Sequence, residues 1–391
     1  MDIHNLLRFV NQYENEDINK LAFKLQHINL SERLWIINQI ICRRKLKEKI
    51  TCWNHKNILF PHSLSIQQCS SQLTALFKAQ LFPSQEKILD LTMGLGVDAY
   101  HFALHHQHVT CIEYDNETFF SAKHNFEVLN VKNISIINCR AEDFINKNKE
   151  KFNIIYLDPS RRKDTGKKAI NLKDCLPNVT ELFPRLIQFS DKIILKLSPL
   201  IDILTIAKQL TYQGDVYAVS INNECKEVLF VMDKSKTDFS YHAVELNPKA
   251  FRIKSYPINN YSEEITFSEP EHYIYLPHSS ILKLGRQNVE SEKYGLKKLA
   301  PHSHIYTSTI LHQNFFGRIF KVIKIISPSE KELKQILPDK KISIISKNFP
   351  LSSEELKNNL QCSESDNFFG IATTLYNNKK VLIITQKMCV V

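Results

Sequence analysis

The residues best suited by type and spacing to do chemistry lie in four short stretches. They are Asp90, Gly94, Gly96 and Asp98 in DLTMGLGVD, Glu113 in CIEYD, Glu142 and Asp143 in RAED, and Asp158 to Arg162 in YLDPSRR. In the first, Ile88 and Leu89 form a short apolar run ended by Asp90, and the two glycines then allow a tight turn and close backbone approach to a nucleotide-like ligand. Asp98 places a negative side chain where a pyrophosphate would sit, which favours a charge-poor or cationic ligand over a dinucleotide. Glu113 follows at the distance of a ribose-binding acid, and its two oxygens can accept from both ribose hydroxyls. Glu142 is the expected acceptor for a base amino group, with Asp143 the alternative because the local helix register is open. At the fourth stretch four apolar residues drive into Asp158, and Pro159 holds the chain extended, placing Asp158 at the mouth of a site. Ser160, Arg161 and Arg162 follow it, the two arginines as candidate phosphate contacts.

The elements that must hold these residues alternate. Between 88 and about 235, short β-branched runs (ILDL, HVTCIEYD, ISIINC, FNIIYLDP, KIILKL) are separated by helical patterns. That alternation predicts a mostly parallel sheet with crossovers on both faces, whose ligands bind beyond the carboxyl ends of the strands. VYAVSINNECKEVLFVM reads as two strands joined through Asn222 and Asn223. Residues 1–80 read as helical, with Leu6, Leu7 and Val10, then Ile18, Leu21, Ala22 and Leu25, then Leu34, Ile37, Ile40 and Ile41 at helical spacing. The basic run CRRKLKEK reads as an exposed helix face or a nucleic-acid contact. Ser63 or Ser65 is the expected cap of the helix carrying Leu73, Leu76 and Phe77. After prolines at 248, 257 and 270, the last seventy-odd residues alternate again and predict a small α/β module, with helices at 329–337 and at LSSEEL.

Composition narrows the class. The chain has 391 residues and a net charge of +10 from 51 basic and 41 acidic residues, a balance that suits a polyanionic partner. Its nine cysteines include no C-x-x-C pair, so neither a zinc site nor a disulfide framework follows, and free thiols fit a reducing cytoplasm. No metal is expected, because His272, His278, His302 and His304 lack carboxylate or cysteine company at ligand spacing. No apolar stretch is of membrane-spanning length, and the N-terminus has no secretory pattern.

No Tyr/Lys pairing of a nicotinamide dehydrogenase is present, whereas a methyl donor built from adenosine and methionine suits the acids. Its sulfonium is cationic, Asp90 and Asp98 are compatible with its amino-acid end, Glu113 with its ribose and Glu142 with its adenine. The sequence resembles the class I S-adenosylmethionine-dependent methyltransferases, and more closely the bacterial branch that carries a small ferredoxin-like segment and a C-terminal THUMP-like domain. PHSLSIQQCSS, DLTMGLGVD, CIEYD, YLDPSRR, KLSP and NNECKEVLF carry the likeness in the first part, and YLPHSSILKLG, HSHIYTS, GRIFKV, NFPLSSEEL and ATTL in the last.

The resemblance implies a Rossmann-like methyltransferase sheet with an N-terminal helical region and a small C-terminal α/β domain. The expected parts are 1–80 helical, 81–235 donor-binding methyltransferase, 236–271 linking strands, 272–318 ferredoxin-like and 319–391 THUMP-like. It assigns Asp90, Gly94, Gly96 and Asp98 to the donor loop, Glu113 to the ribose, and Asp158 and Pro159 to the substrate. Met93 stands where related loops have glycine, and Ser198 where enzymes that methylate uridine C5 carry their cysteine nucleophile. The expected reaction is therefore direct methyl transfer to a base nitrogen of structured RNA, with Asp158 orienting the nitrogen or accepting its proton. The alternative is an RNA-binding module that keeps donor binding without efficient catalysis.

Overall fold

The computed structural model of the chain describes residues 3–61, 63–161, 171–210, 212–256 and 265–388. By contact the chain divides into two compact units, 1–221 with 226–240 and 246–252, and 222–225 with 241–245 and 253–391.

The first unit begins with helices α1 (Ile3–Gln12), α2 (Ile18–Lys24) and α3 (Leu30–Lys49). Leu6, Val10, Leu21, Leu25, Ile28, Ile36 and Ile40 pack into one apolar cluster between them. Two residues expected on that face, Ala22 and Leu34, are exposed instead. The basic run is an exposed face only in part: Lys45, Lys47 and Glu48 are exposed, while its two arginines turn inward. Arg43 is only 4% exposed and donates to Asn11 Oδ1 at 2.6 Å and to the carbonyl of Lys56, while Arg44 donates to the carbonyls of Glu14 and Glu16. These guanidiniums hold the Asn11 side chain and backbone carbonyls of neighbouring loops, which leaves Lys45 and Lys47 as the exposed cations of the run.

Helices α4 (Ser63–Gln68) and α5 (Gln72–Ala79) replace the single helix expected there. The cap of α5 is Ser71, whose Oγ accepts from the Thr74 amide at 3.3 Å, rather than Ser63 or Ser65. The sheet is built from β1 (Lys87–Asp90), β2 (His108–Glu113), β3 (Ile134–Asn138) and β4 (Ile154–Leu157), then a short pair β5 (Ser160–Arg161) and β6 (Cys175–Leu176), and then β7 (Lys192–Leu197), β8 (Gly214–Ile221) and β9 (Glu224–Asp233). Two further strands, β10 (Ser240–Leu246) and β11 (Phe251–Tyr256), lie in the segment expected to link. The order is β11-β10-β8-β9-β7-β4-β1-β2-β3. β1 pairs in parallel with both β2 and β4, β2 with β3, and β4 with β7, whereas β7 and β9 run antiparallel. Helices α6 (Val97–His105), α7 (Asn116–Val128), α8 (Ala141–Lys147) and α9 (Val179–Phe189) form the crossovers. Strands β1, β4 and β7 are buried almost throughout, as a sheet covered on both faces requires. The order reverses at β1, so the carboxyl ends of β1 and β4 flank the position where such sheets open a crevice.

The second unit holds β12 (Tyr273–Pro277), β13 (Lys297–Lys298), β14 (Tyr306–Ser308), β15 (Gly317–Ile326), β16 (Ser343–Ser346), β17 (Phe368–Thr374) and β18 (Lys380–Lys387). They form one seven-stranded sheet in the order β13-β14-β12-β15-β18-β17-β16. One face packs Ile274, Leu276, Leu299, Phe320, Ile371 and Ile383, and the other carries Leu333, Leu356 and Leu360 from helices α10 (Glu330–Ile336) and α11 (Ser353–Leu360). The LSSEEL segment starts α11 with a capping box, Ser352 and Glu355 each satisfying the other's amide.

Candidate active site

Between β1 and α6 the loop Leu91–Gly96 is fixed from three sides. The Leu91 amide donates to the Tyr156 carbonyl of β4, and the Met93 amide to the Ile112 carbonyl of β2, both at 3.1 Å. The Gly94 amide donates to Glu113 Oε2 at 2.9 Å. Gly94 and Gly96 have φ of +56° and +86°, where a side chain is strained. At Gly96 a Cβ would also lie 2.5 Å from the Phe126 ring, so this glycine lets α7 close against the start of α6.

Asp90, at the end of β1, is fully buried. One oxygen accepts from the Thr92 amide at 2.9 Å, and the other has no partner among the described residues. Burial, with the Asp98, Asp158 and Glu113 charges adding to it, pushes its carboxyl well above the ordinary range. Glu113 ends β2 and is 7% exposed; its Oε1 accepts from the Asp115 amide at 2.8 Å while Oε2 holds Gly94. Burial raises its carboxyl too, against the pull of those two amides. The next residue, Tyr114, is 60% exposed. Glu142 and Asp143 both fall in the first turn of α8, Glu142 half-buried and Asp143 exposed.

Asp98 lies deeper than the sequence suggests. Its Oδ2 accepts from Ser70 Oγ and from Tyr156 Oη, both at 2.8 Å, and its Oδ1 lies 3.2 Å from Lys78 Nζ. Lys78, on α5, is fully buried and also reaches both oxygens of Glu227 on β9, at 2.7 and 2.9 Å. Burial would raise the Asp98 carboxyl, but Lys78, Lys196 and the two hydroxyl donors outweigh it and hold it low. The Asp98 charge is therefore spent on the protein's own donors, and its hold on the loop runs through the start of α6.

At the end of β4, Asp158 has its amide bound to Thr92 Oγ1 at 2.6 Å and its carboxylate paired with Lys196 of β7. The Asp158 side chain keeps 34% exposure while that of Lys196 keeps 10%. Burial alone would discharge Lys196, but Asp158, Glu227 and Asp98 outweigh it and raise its affinity for the proton. A cation fixed beneath a half-open carboxylate, beside a strand-end glycine loop, can orient a donor group and leaves one carboxylate edge facing out. Ser160 and the Arg161 backbone form β5, which pairs with β6. Arg162, expected to contact phosphate, lies outside the described residues.

Sequence reasoning missed Lys78, Glu227 and Tyr156 as members of this site. A lysine on an amphipathic helix reads as solvated, and only the close of α5 onto β9, 149 residues away, makes Lys78 an interior cation. Among the described residues no group of three or more His, Cys, Asp or Glu side chains is placed to hold a metal ion. No helix among them is long and apolar enough to cross a membrane.

The architecture has relatives. Residues 85–235 match the family model described as RNA cap guanine-N2 methyltransferase, 273–315 a ferredoxin-like domain, and 317–387 a THUMP domain-like model. The crystal structure of a candidate methyltransferase from Porphyromonas gingivalis W83 superposes with a TM-score of 0.86 at 28% identity, covering 99% of this chain and 98% of that one. A Streptococcus mutans methyltransferase candidate in complex with SAH (13% identity, TM-score 0.31) matches 41% of this chain and 96% of its own. An rRNA methylase from Streptococcus thermophilus (15% identity, TM-score 0.29) matches 42% and 95%. No curated protein matches. The chain thus carries a methyltransferase domain on a parallel-rich α/β sheet, followed by a ferredoxin-like and a THUMP-like domain.

Proposed function

We propose that the chain transfers a methyl group from S-adenosylmethionine to a base nitrogen of structured RNA. The observation that carries this reading is Asp158, half-open at the end of β4, clamped by Lys196 and Thr92 and set beside the glycine loop. The residues present suit the donor. Asp90 has a buried oxygen without a partner, which is an unmet acceptor at the start of the loop. Glu113 accepts one amide on each oxygen and keeps lone pairs for ribose hydroxyls. Tyr114 offers an exposed ring next to it for a base to lie on, and Glu142 an acceptor for the adenine amino group. Asp98 holds the loop in place from behind.

When bound, the donor supplies an electrophilic methyl on a cationic sulfur. Everything else falls to the protein: alignment of the nucleophile and exclusion of water. Asp158 accepts a hydrogen bond from the substrate amine, turning the nitrogen lone pair toward the donor. The proton shed once the new N–C bond forms passes to the carboxylate edge not held by Lys196. Pro159 fixes the exit of β4, and Ser160, Arg161 and Arg162, which follow it in the chain, are the residues assigned to contact with the RNA. The THUMP-like match and the +10 charge support RNA as substrate.

Incubation with radiolabelled donor and separated RNA fractions, followed by mapping of the labelled nucleoside, tests the reading. Asp158→Ala should lower transfer at least 100-fold while calorimetric donor affinity changes less than threefold. Full transfer by this variant would reject the role of Asp158. Donor binding with no transfer to any RNA fraction would leave a binding module in place of an enzyme.

A further inference from the structure

Within the second unit, Leu276, Leu299, Ile305, Ile345, Ile371 and Leu375 share one apolar cluster, and the Tyr376 amide donates to the Leu299 carbonyl at 2.8 Å, so the segment after β17 meets the segment after β13. Basic side chains from several strand ends flank that cluster: Arg318, in register with Leu276, and Lys298, His304 and Lys347, beside or two residues from Leu299, Ile305 and Ile345. Arg318 opens β15, its guanidinium 5.7 Å from the Phe320 ring centroid and its Nε buried with no partner. Lys347 follows β16, and its amide bond to the Ala372 carbonyl at 3.1 Å continues the parallel register, setting it beside Thr373 on the face that carries Ile345 and Ile371. Thr373 is fully buried and its hydroxyl is unpartnered. His304, in a left-handed turn at φ +49°, buries an Nδ1 that likewise has no partner. Lys298 is 3% exposed and spends one proton on the Pro301 carbonyl at 2.7 Å.

These groups feel one another. Burial lowers the proton affinity of Lys347 and the Arg318 charge lowers it further; burial, then Lys298, Lys347 and His302, do the same to His304. Among the described residues no carboxylate acts on any of them, and none of them forms an ion pair. Desolvated like charges with unmet donors are costly unless an anion completes them. A phosphate group fits best, because its oxygens only accept, it takes a guanidinium fork and an ammonium together, and its charge reverses the repulsion. Arg318, Lys347 and His304 are each only half-buried, so solvent and ligand can reach them.

We propose that Arg318, Lys347, His304 and Lys298 form a phosphate-binding site, with the Thr373 hydroxyl as a further donor. The phosphate is either free or carried by a polynucleotide. The site stands apart from methyl transfer, and its test needs no methyl donor.

Inorganic phosphate is titrated into the full chain by calorimetry, and His304 ring signals are followed by NMR. Saturable binding that shifts the His304 resonances is expected, weakened at least tenfold in both Arg318→Met and Lys347→Met, with far-UV circular dichroism unchanged. If either variant unfolds, Arg318→Lys serves in its place; it keeps the charge but loses the fork and should still weaken binding. An oligoribonucleotide with a 5′-phosphate and its unphosphorylated twin then compete. Displacement by the first alone identifies an RNA end, displacement by both a backbone phosphate, and by neither a free phosphate, each of which supports the site. Absence of saturable binding, or binding indifferent to every variant, overturns it.

Discussion

The two units treat buried charge in opposite ways. In the first, the two lysines buried among the described residues are closed by carboxylates: Lys78 by Glu227 and Asp98, Lys196 by Asp158. In the second, Arg318 and Lys347 repel one another and have no acid beside them among the described residues. A closed set of charges costs least when left undisturbed, so it acts as a fixed frame behind a reacting group. An open set is least stable when empty and gains from an incoming anion. The contrast separates side chains that hold the methyltransferase site in shape from side chains that wait for a ligand.

The contrast is broken most severely at Lys78. Lys78→Met leaves Glu227 and Asp98 without their hydrogen-bonded counter-charge, only the more distant Lys196 remaining, and should cost about 3–5 kcal/mol in urea unfolding of the first unit. A loss below 1 kcal/mol would show that the network is not a frame. Next in size is Gly96→Ala, where a positive φ and the Phe126 ring both oppose a Cβ. We expect about 1–3 kcal/mol, and a smaller penalty when Phe126→Leu is already present; equal penalties in both backgrounds would remove the ring from the explanation. In the second unit the expectation reverses. Arg318→Met and Lys347→Met should leave unfolding within about 0.5 kcal/mol or raise stability, and a loss of 2 kcal/mol in phosphate-free buffer would mean that these cations are paired.

Acid sharpens the same distinction by smaller amounts. The Asp98 carboxyl is held below its unfolded value, so its stabilisation is complete above about pH 4 and is lost as pH falls through the folded value. His304 is also held low, first by burial and then by Lys298, Lys347 and His302. From about pH 6.5 downward the unfolded chain takes up a proton that the folded chain refuses, so stability falls until the folded value is passed. An NMR titration should place the His304 midpoint below 6.5 and move it upward in Lys347→Met or with phosphate present. A midpoint that responds to neither would detach His304 from the cluster.

Much of the frame was legible because it is local. The strand and helix alternation follows from periodicity, Asn222 and Asn223 take the paired left-handed conformations of a tight hairpin, and LSSEEL carries its capping box in plain order. Glycines 94 and 96 adopt the positive φ their spacing suggests. What escaped is non-local. Lys78 and Glu227 look like surface residues until the sheet brings them together, Arg43 sits in a run that reads as solvated, and Ser71 wins the cap because the chain breaks at Ser70, whose hydroxyl is drawn to Asp98. Asp98 was found by its place after the loop, but its direction depends on Tyr156 and Ser70, which no spacing rule supplies. The basic cluster of the second unit draws its four members from four separate turns and strand ends, so no single stretch of sequence announces it.

The helix carrying Lys78 ends at Ala79, ahead of the stretch from residue 85 that matches the methyltransferase family. Excising the sheet at that match would therefore strip the hydrogen-bonded counter-ion from two interior acids. The excised sheet should unfold at markedly lower urea than a fragment begun before Ser70, which keeps that lysine and the serine that binds Asp98.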